Sequence, residues 1–157
     1  MAAKSETWTL TNADGELTVK TGVAGRAARM GHRLTLRMDS WRIEVTWQGK
    51  TPVAAVLTVN VDSLQVVSGE GGMTPLSGPE KGVARGNGLK TLDAKKFPTI
   101  EYRPDSIEST DDGYRLSGPL TIHGVSKPTT VDVAVTRDGG TLQLTCAAEV
   151  RQTDFKI

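Results

Sequence analysis

Residues Leu92 to Val135 read LDAKKFPTIEYRPDSIESTDDGYRLSGPLTIHGVSKPTTVDVAV, and this stretch decides the fold. Ile100 and Tyr102 alternate with Glu101 and Arg103. Beyond the polar turn Ser109–Gly113, Tyr114, Leu116, Leu120 and Ile122 alternate with Arg115, Ser117, Thr121 and His123. Beyond Gly124–Pro128, read as a further turn, Val131, Val133 and Val135 alternate with Asp132, Ala134 and Thr136. Apolar residues at period two, with turn residues every eight to twelve positions, predict an antiparallel meander with one apolar face. Asp93–Lys96 predicts one helical turn, ended by Pro98. A meander that curls until it closes makes a barrel, whose interior is packed with side chains or holds a ligand.

The same pattern extends outward. Leu34, Leu36 and Met38 share one face of a run from His32 to Met38, and then Trp41, Ile43, Val45 and Trp47 share the opposite parity. The phase slip predicts a turn or bulge at Asp39–Ser40. Gly49–Pro52 is another turn, after which Val53, Ala55, Leu57, Val59 and Val61 alternate cleanly and are expected to face inward. Upstream, Trp8–Leu10 and Leu17–Thr21 are short strands around Asn12–Gly15, whose Asp14-Gly15 pair is a hairpin signal. Downstream, Leu142, Leu144, Cys146, Ala148 and Val150 predict a last strand. Two segments read as helix. Val23–Met30 has helical spacing with Gly31 as its stop. Ser68–Gly88, with seven glycines, supports a helix only weakly, as one that frays or as a mobile lid. The fold class is all-β: an antiparallel β-barrel of about eight strands with one to three short helices, in a single domain over residues 1–157.

Composition narrows the function. Nineteen basic and eighteen acidic side chains leave a net charge of +1, which calls for neither nucleic acid nor an anionic membrane as partner. The lone cysteine, Cys146, has no internal disulfide partner and reads as a small inward-facing apolar residue. The first ten residues lack the apolar core of a signal peptide, and no run is long enough to span a membrane, so the chain reads as cytoplasmic. Two isolated histidines and one cysteine make no metal-binding pattern. Neither a nucleophile elbow nor a P-loop occurs, and Asp111–Asp112 sit before Gly113 as turn residues. His123 reads as a solvated turn residue, while His32 opens a strand and is a candidate ligand contact. Trp8, Trp41 and Trp47 either pack under strand ends or meet a ligand.

LDAKKFPTIEY followed by LTIHGVSKPTTVDV resembles the core signature of the YceI-like, polyisoprenoid-binding family. The positions that carry the resemblance are Leu92, Asp93, Phe97, Pro98, Leu120, Ile122, Gly124, Val125, Ser126, Lys127 and Pro128. GHRLTLRMDSWRIEV, VDSLQVVSGEGGMTPL and the tail RQTDFKI are similar to other segments of the family, although Lys156 stands where the family usually has glycine. The resemblance implies a lipocalin-like barrel around an elongated isoprenoid chain, a short helix from about Pro79 towards Leu89, and a terminal strand that Phe155 plugs. The expected function is non-catalytic binding, transport or sequestration of a long-chain lipid such as an isoprenoid quinone or polyprenyl phosphate, with no cofactor. The expected lining residues are Leu34, Leu36, Met38, Val53, Ala55, Leu57, Val59, Tyr102, Leu116, Leu120, Ile122, Val131, Val133 and Leu144. Each also reads as plain core. A basic mouth of Arg29, Arg33 and His32 would meet the polar head. The alternative is a filled barrel serving as a stress-related protein-interaction module. Pairing of two copies through a strand edge or helical face suits either reading.

Overall fold

The computed structural model describes residues 5–21, 32–71 and 77–157. The expected helix at Val23–Met30 lies outside them. Among the described residues, eleven strands and one α-helix follow in chain order: β1 (Ser5–Thr11), β2 (Leu17–Lys20), β3 (His32–Met38), β4 (Trp41–Gln48), β5 (Thr51–Asn60), β6 (Leu64–Gly71), α1 (Gly78–Thr91), β7 (Thr99–Tyr102), β8 (Ser106–Ser109), β9 (Gly113–Ile122), β10 (Val125–Asp138) and β11 (Thr141–Cys146). Eight strands form one strongly curled antiparallel sheet, ordered β1-β4-β5-β7-β9-β10-β11 with β8 also on β9. The other three form a smaller sheet, β2-β3-β6. The sequence reading of about eight strands leaves out β6 and β8, and two that it includes, β2 and β3, lie in the smaller sheet; β1 and β2 belong to different sheets, so the Asp14-Gly15 turn between them joins no hairpin.

The chain falls into two compact units. The first comprises Met1–Thr9, Arg42–Thr58 and Ile100–Ile157 and is built on the larger sheet. Its centre is the β9–β10 hairpin, closed by only two residues, His123 and Gly124. Both have positive φ (56° and 73°), the backbone that matches the twist of paired strands. The turn predicted over Gly124–Pro128 is therefore shorter: Lys127 and Pro128 are already in β10. Gly139 and Gly140 make the second such turn, between β10 and β11. β11 ends at Cys146, so residues 147–150 do not extend the strand, and Gln152–Phe155 is a 3-10 turn instead of a terminal strand. Lys156 itself adopts the left-handed conformation (φ 58°) that glycine would take without cost.

β7 and β8 both pair with β9, but not in one register. Tyr102 faces Leu120, whereas Ser106 faces Ser117, a slip of one residue. The extra residue lies in Arg103–Asp105, and the backbone of Pro104 and Asp105 crosses directly over Gly118. A Cβ on Gly118 would stand 2.5 Å from the Pro104 Cα. This bulge moves Ile107, an odd-numbered residue, onto the face that even-numbered Tyr102 occupies.

The second unit comprises Leu10–Trp41 and Val59–Thr99. Among its described residues, Leu36, Met38, Val59, Val61 and Leu64 are the buried apolar ones. The turn predicted at Asp39–Ser40 is present, and Ser40 is held by Asn60, whose backbone N–H donates to the Ser40 carbonyl at 2.9 Å. α1 forms despite its glycines because its ends and one face are tied down. The Ser77 hydroxyl accepts from the Glu80 N–H while the Glu80 carboxylate accepts from the Ser77 N–H, a reciprocal cap. Arg85 donates to the carbonyls of Leu64 (2.8 Å) and Asp62 (2.5 Å). Three residues on, Gly88 lies beside the Leu64 side chain, whose methyls would be 4.0 Å from a Cβ there.

Candidate functional site

Cross-strand partners in an antiparallel ladder point to the same side of a sheet. Tyr114 faces Val133, and Val133 faces Cys146; Leu116 faces both Ile107 and Val131; Leu120 faces Tyr102; Ile122 faces Val125; Val135 faces Leu144. Alternation along β9 and β10 puts all of these on one face. Seven of the expected lining residues thus converge: Tyr102, Leu116, Leu120, Ile122, Val131, Val133 and Leu144. The opposite face is polar, with Arg115 donating to Asp132 at 2.8 Å and hydroxyl pairs Ser117–Thr130 (3.3 Å) and Thr121–Ser126 (2.6 Å).

The apolar face is only partly covered. Tyr102 and Ile122 are buried, but Tyr114, Leu116, Leu120, Val131, Val133 and Val135 are half-buried, and Leu144 is 44% exposed. A close-packed core leaves its central residues without solvent contact, and this face does not fit that description. Leu120 is paired with Lys127, so an ammonium stands at one end of the face.

Tyr102 fixes the geometry of this face. Its hydroxyl donates to the Thr129 carbonyl at 2.9 Å, with the Leu116 carbonyl at 3.2 Å, so a side chain on β7 reaches over β9 to β10. Burial raises its pKa above the ordinary value, with Asp105 and Cys146 adding to the shift. Cys146 is exposed, not the packed residue expected from its parity, yet the surrounding protein desolvates its thiol enough to push the pKa above the ordinary 9.0. An accessible thiol with that environment lies against protein while still meeting water.

The other expected residues are distributed elsewhere. On β5, Ala55 and Leu57 are half-buried and Val53 is 46% exposed, while Pro52 beside it is buried. Val59, Leu36 and Met38 are buried among the core residues of the second unit, and Leu34 is half-buried on the same strand as Leu36. Arg29 lies outside the described residues. His32 and Arg33 are in β3, paired with Gly71 and Glu70. Arg37, further along the same strand, is engaged by Asp39, with Nε to Oδ1 at 2.5 Å. His123 is not the solvated ring expected of a turn: it is half-buried, and its Nδ1 lies 3.2 Å from the Phe155 carbonyl, which requires the proton on Nδ1. Phe155 is 3% exposed, as expected of an inward plug. Trp8 and Trp47 pack together with ring centroids 4.8 Å apart.

Two small concavities were not foreseen. One, of about 310 Å³, lies in the second unit and is lined by Asn12, Gly15, Glu16, Arg37, Met38, Asp39 and Trp41. The other, of about 240 Å³, lies in the first unit between Lys127–Thr130 and Glu149–Arg151, with Leu120, Asp154 and Phe155. Residues so far apart in sequence carry no local signal of meeting. Among the described residues, no three of His, Cys, Asp and Glu stand close enough to hold a metal ion. No helix among them is long and apolar enough to cross a membrane.

Strand order, the apolar face and helix α1 define an all-β protein of the lipocalin-like antiparallel barrel class. A crystal structure of Burkholderia cenocepacia BcnA has this fold: it superposes with a TM-score of 0.61 over 98% of this chain and 81% of that one, at 16% identity. The family model of the YceI-like domain matches residues 7–157, and the chain belongs to the YceI-like family. UPF0312 proteins of Yersinia pestis (strain Pestoides F) and of Yersinia pseudotuberculosis (serotype O:3, strain YPIII) are each 35% identical over 52 residues, 33% of this chain. That match spans 27% of the length of each relative.

Proposed function

We propose that the chain is a non-catalytic lipid binder that holds a polyisoprenoid or similar long-chain lipid against the apolar face of the larger sheet, for transport or sequestration. The observation that carries this reading is the half-buried state of that face: aligned Val, Leu and Tyr side chains that the protein leaves accessible to solvent. Covering them with a hydrocarbon chain is favourable at roughly 25 cal/mol per Å² of apolar surface. At about 0.3 kcal/mol per heavy atom, four isoprene units would supply about 6 kcal/mol, between millimolar and micromolar affinity. Such contacts respond to chain width and length but not to chemical identity, so an isoprenoid quinone, a polyprenyl phosphate and a fatty acid would compete for one surface.

Cys146 provides the test, because it shares the face with Val133. Its alkylation by N-ethylmaleimide would be followed with and without a saturating short-chain quinone or polyprenyl phosphate. The proposal expects slower alkylation with lipid present. An unchanged rate, with the lipid shown to be bound, would place the site elsewhere; absence of binding would favour an interaction module.

A further inference from the structure

The concavity beneath Trp41 has no part in lipid binding as proposed above, and its chemistry is different. Five polar or aromatic groups meet there within the second unit: the Asn12 carboxamide, the Glu16 and Asp39 carboxylates, the Arg37 guanidinium and the Trp41 indole. Arg37 is held in place by Asp39, through Nε to Oδ1 at 2.5 Å and a longer contact, NH2 to Oδ2, at 3.4 Å. That hydrogen bond, and the charge behind it, lower the Asp39 pKa and raise that of Arg37, to which Glu16 also contributes. A guanidinium has five N–H donors in a fixed plane, so Arg37 retains donors beyond those aimed at Asp39. Asn12 adds both a donor and an acceptor, and Glu16 adds acceptors.

Gly15 keeps the ring uncovered. A Cβ on Gly15 would lie 3.8 Å from Cη2 and 4.0 Å from Cζ2 of Trp41, in ordinary contact, so any longer side chain would extend over the indole. The volume of about 310 Å³ is at the small end of the range for ligand sites, enough for one ring.

The donor and acceptor set selects the ligand class. A free anion would meet two carboxylates. A free cation would meet Arg37. A neutral ring bearing adjacent hydroxyls has no such conflict. Each hydroxyl both donates and accepts, planar Asn, Glu and Arg groups can each engage two neighbouring hydroxyls, and the apolar C–H face of the ring suits an indole. We infer that this concavity is a binding site for the pyranose ring of a saccharide.

The test follows the three indole N–H signals in ¹H–¹⁵N spectra, with Trp8 and Trp47 as internal references. Probes are methyl glycosides of glucose, galactose, mannose and N-acetylglucosamine, to about 50 mM, above the millimolar constants of weak polar sites. Choline chloride and inorganic phosphate are the charged controls. The inference expects a saturable shift of the Trp41 signal with at least one glycoside, and none with choline or phosphate. Gly15→Val should abolish the shift, since the backbone there tolerates a side chain and the new one covers the ring. Glu16→Gln, at an exposed position, should weaken binding about tenfold, the loss of one charge-assisted hydrogen bond. Octyl glucoside below its micellar concentration separates a sugar site from a tail site: equal constants for the methyl and octyl glycosides support recognition of the ring. A response to the octyl form alone would overturn the inference, as would silence with every glycoside, a shift by choline or phosphate alone, or undiminished binding in folded Gly15→Val.

Discussion

Replacing Val133 with lysine distinguishes an accessible apolar face from a packed interior. Val133 stands between Tyr114 on β9 and Cys146 on β11, near the middle of that face, and is half-buried. In a packed interior the new ammonium would lose its water, at a cost of several kcal/mol. That would consume much of a net stability of roughly 5–15 kcal/mol. On a face open to solvent, the lysine stem lies over the same apolar neighbours and its charge reaches water. The loss is then about half of what burying a valine contributes, roughly 1 kcal/mol. For a chain of this size, that lowers the thermal midpoint by about 2–4 °C. Val61→Lys is the comparison, because Val61 is 2% exposed in the core of the second unit and should abolish cooperative folding. Circular dichroism melts report both effects. Lipid binding should fall at least a hundredfold in Val133→Lys, since a bound tail would cover the charge. Equal loss of folding in the two variants would show that the face is packed. A folded Val133→Lys that binds lipid normally would show that the ligand lies elsewhere.

Other consequences can be checked independently. Tyr102→Phe removes the donor to the Thr129 and Leu116 carbonyls and should cost about 1 kcal/mol in urea unfolding; an unchanged midpoint would mean that water replaces the hydroxyl at no cost. Gly118→Ala places a Cβ where the Pro104 backbone runs and should destabilise by at least about 1–3 kcal/mol, the range for overpacking. Full stability there would contradict the close crossing of β9 by the bulge. The rate of Cys146 alkylation should rise with pH and reach its half-maximum above pH 9.0, because desolvation disfavours the thiolate. A midpoint below that would mean that a positive charge near the thiol outweighs its desolvation.

Most strands were legible in the sequence, but β6, whose end lies in the segment read as a helix or lid from Ser68, and β8 were not, and neither were strand ends. Alternation located β4, β9 and β10 because each has one apolar and one polar side, and side-chain parity follows directly from the pleat. It extended β11 through Ala148 and Val150, although pairing with β10 stops at Cys146. Parity in the chain cannot reveal where a partner strand ends. The one-residue slip at Arg103–Asp105 was equally hidden, since it arises from Pro104 crossing Gly118 in space. Helix α1 looked weak because four of its residues are glycines, and its anchor, Arg85 on the carbonyls of Asp62 and Leu64, is a tertiary contact. Gly88, unfavourable for a helix in isolation, lies beside the Leu64 side chain, a neighbour the local sequence does not reveal. Of the lining residues, those on β7, β9, β10 and β11 converge because register joins them. Leu36, Met38 and Val59 share the same apolar character but belong to the other unit, and composition does not separate the two roles. The polar site at Trp41 had no sequence signature, as Asn12, Arg37 and Trp41 meet only once β2 pairs with β3 and the chain turns at Asp39.

The most direct test of the lipid-binding account is native mass spectrometry of the purified protein, followed by organic extraction and lipid analysis. A stoichiometric adduct of isoprenoid or similar long-chain mass should be present, released on extraction and restored when the same lipid is added back. Protein at the bare chain mass, still without adduct after exposure to quinones, polyprenyl phosphates and fatty acids, would contradict it.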